Sequence, residues 1–368
     1  MTVPTSTQLP RALDSEKSIV EELRRRVEES RKALRGLREP REETVFRALA
    51  YIPPDDVVVE GHPLRRVVSI FNPGAVLRGR ELLVFPRIIP GYYWYVSAIG
   101  FFSIDIEKLL SEGIERPLRV RIAVAPSEHW DLGGCEDARA HELPDGSIAL
   151  LYSGIKPSWT KFHIYGGTAL QSLAVLDKDC GRVLRKGFLK IVAGGSEYIA
   201  SEWRDSAFIE NLGSSIYSFL TRIRISDIAV CWRCVLDLES LSIDLDTLRP
   251  NLVNEDWEYK VGWSTNAVKI DSDAYLVGWH GVGLDNVYRN GLAVVDRDGE
   301  LAGVTNYVLS PRYPIEYYGD RPGVIFGCGL VKYRDLVLWI GGAADHMLAI
   351  YVAEEKDVME RVRWIKRG

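Results

Sequence analysis

Five short segments of this chain repeat one pattern at nearly equal distances. Phe71-Asn72-Pro73-Gly74 leads into an apolar run at 81–85, and Glu136-Asp137-Ala138-Arg139 into one at 148–152. Arg204-Asp205-Ser206-Ala207, Thr265-Asn266-Ala267-Val268 and Phe326-Gly327-Cys328-Gly329 do the same before 216–220, 275–279 and 336–340. Each unit reads as a polar or small opening, a strand, a tight turn and a second strand. The opening residues Asn72, Asp137, Asp205, Asn266 and Cys328 follow one another at 65, 68, 61 and 62 positions. A near-constant period marks repeated supersecondary units. A four-stranded blade takes roughly 40–50 residues, which leaves the remainder for loops. Five such units around one axis predict a five-bladed β-propeller. The openings of all five innermost strands would then converge at one end of the central channel. The alternative is a β-sandwich with coincidental spacing.

The rest of the chain fits an all-β class. After Pro53-Pro54, short runs of Val, Ile, Leu, Tyr and Phe alternate with Gly, Asp and Pro turns almost to the end, which is the period-two pattern of strands. Helices are expected only at 105–111 and 354–365 in this part. Upstream, Val20, Leu23, Val27, Leu34 and Leu37 recur at helical spacing in a charged background. Asp14 reads as the N-cap of this helix, and Gly36 and Pro40 as its stop signals. The narrow stripe has two uses: lying on the main domain, or pairing with another subunit in a homo-oligomer. The expected division is an N-terminal extension with a helix (1–60), the propeller (61–353) and a C-terminal helix packed on it (354–368).

Composition removes several function classes. The net charge is -5 and no long basic block exists, so no nucleic-acid partner is expected. No run of 18 apolar residues occurs, so no membrane span is expected. Met1-Thr2-Val3-Pro4-Thr5 lacks the features of a secretory signal. Five cysteines without a dense framework favour a cytoplasmic location with mostly reduced thiols. Cys231-Trp232-Arg233-Cys234 has no second pair to complete a zinc site, and residues i and i+3 of a strand face opposite sides. Packing is the expected role there, a disulfide being the option for a hyperthermophilic source. His62, His129, His141, His163 and His346 show no metal-ligand spacing, and neither a metal nor an organic cofactor is expected. Ten Trp and seventeen Tyr suit strands, and they also suit a cleft where flat rings stack on sugars.

Glu136, Asp137 and Arg139 put two carboxylates and a guanidinium within four residues between two apolar strands. Such groups are costly to bury unpaired, so they are expected at a strand's mouth beside a polar cavity. An ion-paired strand edge is the plainer reading.

With these residues in view, the chain resembles the mannoside phosphorylases of glycoside hydrolase family 130. The Glu-Asp-Pro-Arg motif of that family is similar to Glu136-Asp137-Ala138-Arg139, and its Asn-Pro and closing Arg to Asn72-Pro73 and Arg87. Its Tyr-His-Gly and Tyr-x-x-Gly resemble Trp279-His280-Gly281 and Tyr288-Arg289-Asn290-Gly291. Its last motifs match Phe326-Gly327-Cys328-Gly329 and Gly342-Ala343-Ala344-Asp345, while Arg204-Asp205 opens the third unit and Arg222 closes it. The resemblance spans roughly 65–353. Ala138 departs from the family's Pro, and Trp263-Ser264-Thr265-Asn266 from its proline run.

The resemblance implies an inverting glycoside phosphorylase acting on a β-mannoside or related glycoside. Inorganic phosphate would be the co-substrate and a sugar 1-phosphate the product. Asp137 would be the proton donor, acting through a sugar hydroxyl. Arg222, His280, Tyr288 and Arg204 would hold phosphate, since cations suit a dianionic nucleophile. Asn72, Arg87, Glu136, Arg139, Asp205 and Asp345 would bind or brace the sugar. Two other readings stay open. A hydrolase of the same fold would need a base such as Asp205 or Asp285, about 6.5–9.5 Å from Asp137. A noncatalytic carbohydrate-binding propeller would keep the aromatics without a cationic pocket.

Overall fold

Strand pairing, rather than helix packing, organises the chain. The computed structural model describes residues 9–63, 65–92, 95–157 and 168–365. Among them the strands form five sheets. In chain order the innermost strands of these sheets are Ser69–Arg78, Cys135–Glu142, Glu202–Gly213, Glu258–Asp271 and Ile325–Tyr333. Each pairs antiparallel with the next strand through a hairpin.

Among the described residues, the five larger of seven apolar clusters lie between the sheets. Leu83 and Phe85 of the first sheet meet Ala138 and Leu150 of the second. Ala149 and Leu173 of the second meet Trp203 and Phe219 of the third. Leu220 meets Val261 and Trp263, and Leu276 meets Leu330 and Trp339. Finally, Val331 and Ile340 of the fifth sheet return to Ile70 and Val84 of the first. Each sheet thus buries both faces against its two neighbours, and the arrangement closes on itself. Full burial of one such side chain is worth about 1.5–3 kcal/mol. The fold is all-β and propeller-like.

The inner strands share a local device. Each has a register shift against its hairpin partner near its mouth, at Phe71/Gly74, Glu136/Arg139, Arg204/Ala207, Trp263/Ala267 and Phe326/Gly329. A bulge of this kind bends a strand and re-aims side chains. Asn72, Asp137 and Asp205 lie in these bulges with φ of 45°, 52° and 57°. Asn and Asp tolerate this left-handed backbone better than other non-glycine residues. Close approach near the axis explains Gly74, where an added Cβ would stand 2.2 Å from the Ala138 carbonyl oxygen.

The termini depart from the expected division. Arg47–Ile52 pairs with Met347–Glu354 in the fifth sheet, and Val57–Glu60 pairs with Leu118–Val124 in the first. The boundary expected at 60/61 therefore moves towards the N-terminus, because these short runs complete sheet edges. The C-terminal helix is short, Glu355–Met359, and Arg363–Trp364 adds a strand beside Leu301–Val304. Pairing there gives the backbone edge of Leu301–Val304 a partner, and the Ile365 N–H donates to the Ala302 carbonyl at 2.9 Å.

The helix at Lys17–Leu34 lacks the cap expected from Asp14. Its N-cap is Glu16, without a side-chain bond, and the Asp14 carboxylate accepts from the Ser226 backbone N–H instead. Val20, Leu23 and Val27 are buried with Trp203 and Ile223 of the third sheet. Of the two uses expected for the apolar stripe, the structure shows the first, packing on the main domain. Asp105 does cap the helix Ile106–Glu112, accepting from Glu107 N and Lys108 N at 2.9 and 3.1 Å. All five cysteines are free and buried. Cys231 lies opposite Arg222 and Cys234 opposite Phe219, so the two thiols share no face. Among the described residues, no helix is long and apolar enough to cross a membrane.

Candidate active site

The mouths of the inner strands meet at a cavity of about 310 Å³. Of the residues singled out in the sequence, Asn72, Arg87, Glu136, Asp137, Arg204, Asp205, Arg222, Tyr288 and Asp345 line it. They are brought together from four of the five sheets and the turn after the fifth sheet's second strand.

The second strand's mouth carries the densest charge. Arg87 donates to Glu136 Oε1 at 2.8 Å, and Arg204 donates to Glu136 Oε2 at 2.9 Å. Burial pushes the Glu136 carboxyl up, but Arg87 and Arg204 outweigh it and hold the group below its ordinary value. Asp137 is held more loosely. Its Oδ1 accepts from Asn72 Nδ2 at 3.0 Å and lies 3.5 Å from an Arg87 nitrogen. Asp345 stands on the same side, 3.6 Å from Arg321. Burial pushes its carboxyl up to about 6, Arg321 opposing and Asp137 reinforcing the rise.

Asp205 is a clamp. Arg222 Nε donates to its Oδ2 at 2.6 Å and Arg139 to its Oδ1 at 2.9 Å. Burial alone would raise this carboxyl, yet Arg222 and Arg139 hold it far below the usual carboxylate range. A group so held is a poor proton acceptor near neutral pH.

Arg139 and His280 do not reach the cavity wall. Arg139 is buried beneath it, bonding the Asp137 and Ser264 carbonyls at 2.9 and 2.7 Å as well as Asp205. It braces the floor. His280 is fully buried behind Tyr288, its ring stacked on the tyrosine at 5.5 Å and 17°. Its Nδ1 lies 3.0 Å from Ser264 Oγ, and its Nε2 is a buried atom without a hydrogen-bond partner. Burial, reinforced by Lys260 and only partly opposed by Asp205, pushes the imidazole well below its ordinary value, so the ring is neutral. Gly262 makes room for it, since an added Cβ would stand 2.4 Å from His280 Cε1. Asp285 is paired with Arg289 at 2.8 Å and lies outside the cavity.

Lys260, Glu202, Tyr95 and Arg321 also line the cavity and were not singled out. Lys260 Nζ donates to the Tyr288 hydroxyl at 2.9 Å. Strand alternation carried a usable signal for two of them. Glu202 is two residues before Arg204, and Lys260 four before Ser264, so each shares a face with a position already singled out. Tyr95 and Arg321 lie on loops, where no periodicity points inward. Among the described residues, no group of three or more His, Cys, Asp or Glu could hold a metal ion. His163 lies outside the described residues.

A closed ring of sheets around a charged axial cavity defines a propeller-like protein suited to a polar small molecule. Residues 37–364 match glycoside hydrolase family 130, described as β-1,4-mannooligosaccharide phosphorylase, and the chain belongs to that family. A β-1,2-mannobiose phosphorylase of Thermoanaerobacter sp. (strain X514) is 26% identical over 306 residues, covering 79% of this chain and 91% of that protein. A 1,2-β-oligomannan phosphorylase of the same organism is 28% identical over 106 residues, covering 28% of this chain and 36% of that protein. The solved β-1,2-mannobiose phosphorylase from Listeria innocua, in complex with β-1,2-mannobiose, has a similar fold. Its TM-score is 0.63 at 19% identity, covering 84% of this chain and 96% of that one.

Proposed function

We propose that this chain is an inverting glycoside phosphorylase that cleaves a β-mannoside or related glycoside with inorganic phosphate and releases a sugar 1-phosphate. The observation that carries this reading is the wall of Arg204, Arg222, Lys260 and Tyr288, which lines the same cavity as Asp137. Phosphate is already a nucleophile. It needs cations and hydroxyl donors beside the reacting carbon, not a base. Of the two carboxylates a hydrolase was expected to use, Asp205 is clamped by two guanidiniums and Asp285 lies outside the cavity.

In this reading Asp137 supplies the proton, relayed through a sugar hydroxyl to the leaving oxygen. The C1–oxygen bond of the glycoside breaks while a phosphate oxygen bonds to C1 from the opposite face. Hydrogen phosphate loses its proton as it bonds to C1, and that proton replaces the one Asp137 gave up, so the products are a free alcohol and the sugar 1-phosphate. Arg222, Arg204 and Tyr288 hold phosphate, with Lys260 added. His280 fixes Tyr288 from behind rather than touching phosphate. Asn72, Arg87, Glu136 and Asp345 bind the sugar, while Arg139 and Asp205 hold Asp137 and Arg222 in place. The five sheets are read as five blades, with the helix at Lys17–Leu34 an addition on the outside. Sugar and phosphate are the partners proposed, without cofactor, nucleic acid or membrane, in the cytoplasm.

The test is incubation with β-1,2- and β-1,4-mannobiose, with and without phosphate, followed by assay of sugar 1-phosphate. Phosphate-dependent formation of that product is expected. Equal turnover without phosphate would make the chain a hydrolase, and no turnover across a broad glycoside panel would make it a binding module.

A further inference from the structure

On the third inner strand, Glu202 and Arg204 both face the cavity. The neighbouring strand sets Arg224 opposite Glu202 and Arg222 opposite Arg204. Like charges directly opposite each other on a sheet repel. The Arg204–Arg222 pair is therefore unfavourable unless an anion lies between the two. Glu202 supplies one. Its carboxylate lies 3.4 Å from Arg204 Nε, 3.6 Å from an Arg222 terminal nitrogen and 3.9 Å from an Arg224 terminal nitrogen. None of these is a closed charge-assisted bond, which would measure about 2.7–2.9 Å. The other carboxylates on the same arginines are closed, Asp205 on Arg222 at 2.6 Å and Glu136 on Arg204 at 2.9 Å. Glu202 thus stands among three guanidiniums without settling on any, its side chain 32% exposed.

A phosphate dianion would seek the same donors with more oxygens and more charge, and would meet Glu202 there. We infer that Glu202 is a built-in competitor for phosphate. It screens the arginines while the site is empty and turns aside, towards Arg224 and solvent, when phosphate enters. It thereby sets the phosphate concentration at which the enzyme responds. This rests on the phosphorylase reading above and goes beyond it by giving one residue control of phosphate affinity.

The experiment compares wild type with Glu202→Gln and Glu202→Ala. It measures KM for phosphate, KM for the glycoside, and the rise in Tm on adding phosphate. Removing one like-charge neighbour in a partly exposed site should lower KM for phosphate about tenfold. KM for the glycoside should stay within about twofold. Phosphate should raise the Tm of the variants more than that of wild type, because tighter binding stabilises the folded state more. Titration calorimetry with inorganic phosphate gives the same comparison without turnover. An unchanged or weaker phosphate affinity in both variants overturns the inference and leaves Glu202 as an ion-pair partner only. Phosphate-independent turnover by wild type would instead overturn the phosphorylase reading, and this inference with it, before any variant is made.

Discussion

Asp137 combines a demanding backbone with a lightly held side chain. Its φ of 52° is left-handed, which costs most non-glycine residues about 1–2 kcal/mol. Asn tolerates that backbone as Asp does, and accepts from Asn72 in the same way, but offers no acidic proton. Asp137→Asn should therefore lower kcat by about 10²–10⁴-fold, the usual share of a general acid, with Tm within a few degrees of wild type. Near-wild-type turnover would remove Asp137 from the role. Asp345 invites a pH experiment. Its folded pKa is raised to about 6 from an ordinary 3.8. A carboxyl raised in this way holds its proton better folded than unfolded. Its favourable contribution is full below about pH 4 and is lost as pH rises through 6. Asp345→Asn mimics the neutral form and also suits the φ of 48°. It should stabilise the protein at pH 8 by on the order of 1–3 kcal/mol and do little at about pH 3.5, below the unfolded pKa. Melting curves at the two pH values decide this, and a pH-independent difference would refute it. The repeat made Asn72, Asp137 and Asp205 legible as openings of inner strands, and the family resemblance added Asp345. Depth was not legible. Nothing in Trp279-His280-Gly281 says that the imidazole lies behind a tyrosine, since that depends on the bare Cα of Gly262 on another strand.

At the level of the elements, the repeated bulge connects sequence to site. One extra residue at the mouth of the first three inner strands turns Asn72, Asp137 and Asp205 towards the cavity, whereas Asn266 and Cys328, in the bulges of the fourth and fifth, do not line it. The opening positions accordingly recur with nearly constant spacing, and that recurrence could be found without coordinates. The helix is a different case. Its stripe was visible, but its partner was not, because hydrophobic period reports a buried face and not what buries it. Leu23 is now seen packed in the core of the third sheet. Leu23→Ala should cost about 2–5 kcal/mol, a loss readable by urea denaturation. A loss below about 0.5 kcal/mol would mean that the helix is only draped on the sheet. If the helix only buttresses the third sheet, the KM values of the surviving folded enzyme should stay near wild type.

Across the whole molecule, five apolar interfaces join five sheets, and the last depends on a strand from far upstream. Arg47–Ile52 forms the outer edge of the fifth sheet against Met347–Glu354. Strand alternation is legible only after Pro53-Pro54, so it marks Met347–Glu354 and not Arg47–Ile52; pairing between distant segments leaves no local mark, which is why the boundary was expected too late. Deleting residues 1–52 should bare that edge, which is a template for aggregation. The shortened chain should elute as aggregate or melt without cooperativity. A monodisperse product with the Tm of wild type would contradict this. There is also a consequence for biosynthesis. Arg47–Ile52 is made about three hundred residues before the strand it must meet, and contacts so distant along the chain are slow to form. A ribosome that stalls late leaves an unclosed product with two raw ends, not a weaker catalyst. Asn72 and Asp345 become neighbours only when translation is almost done, so activity should appear all at once upon completion and never by degrees.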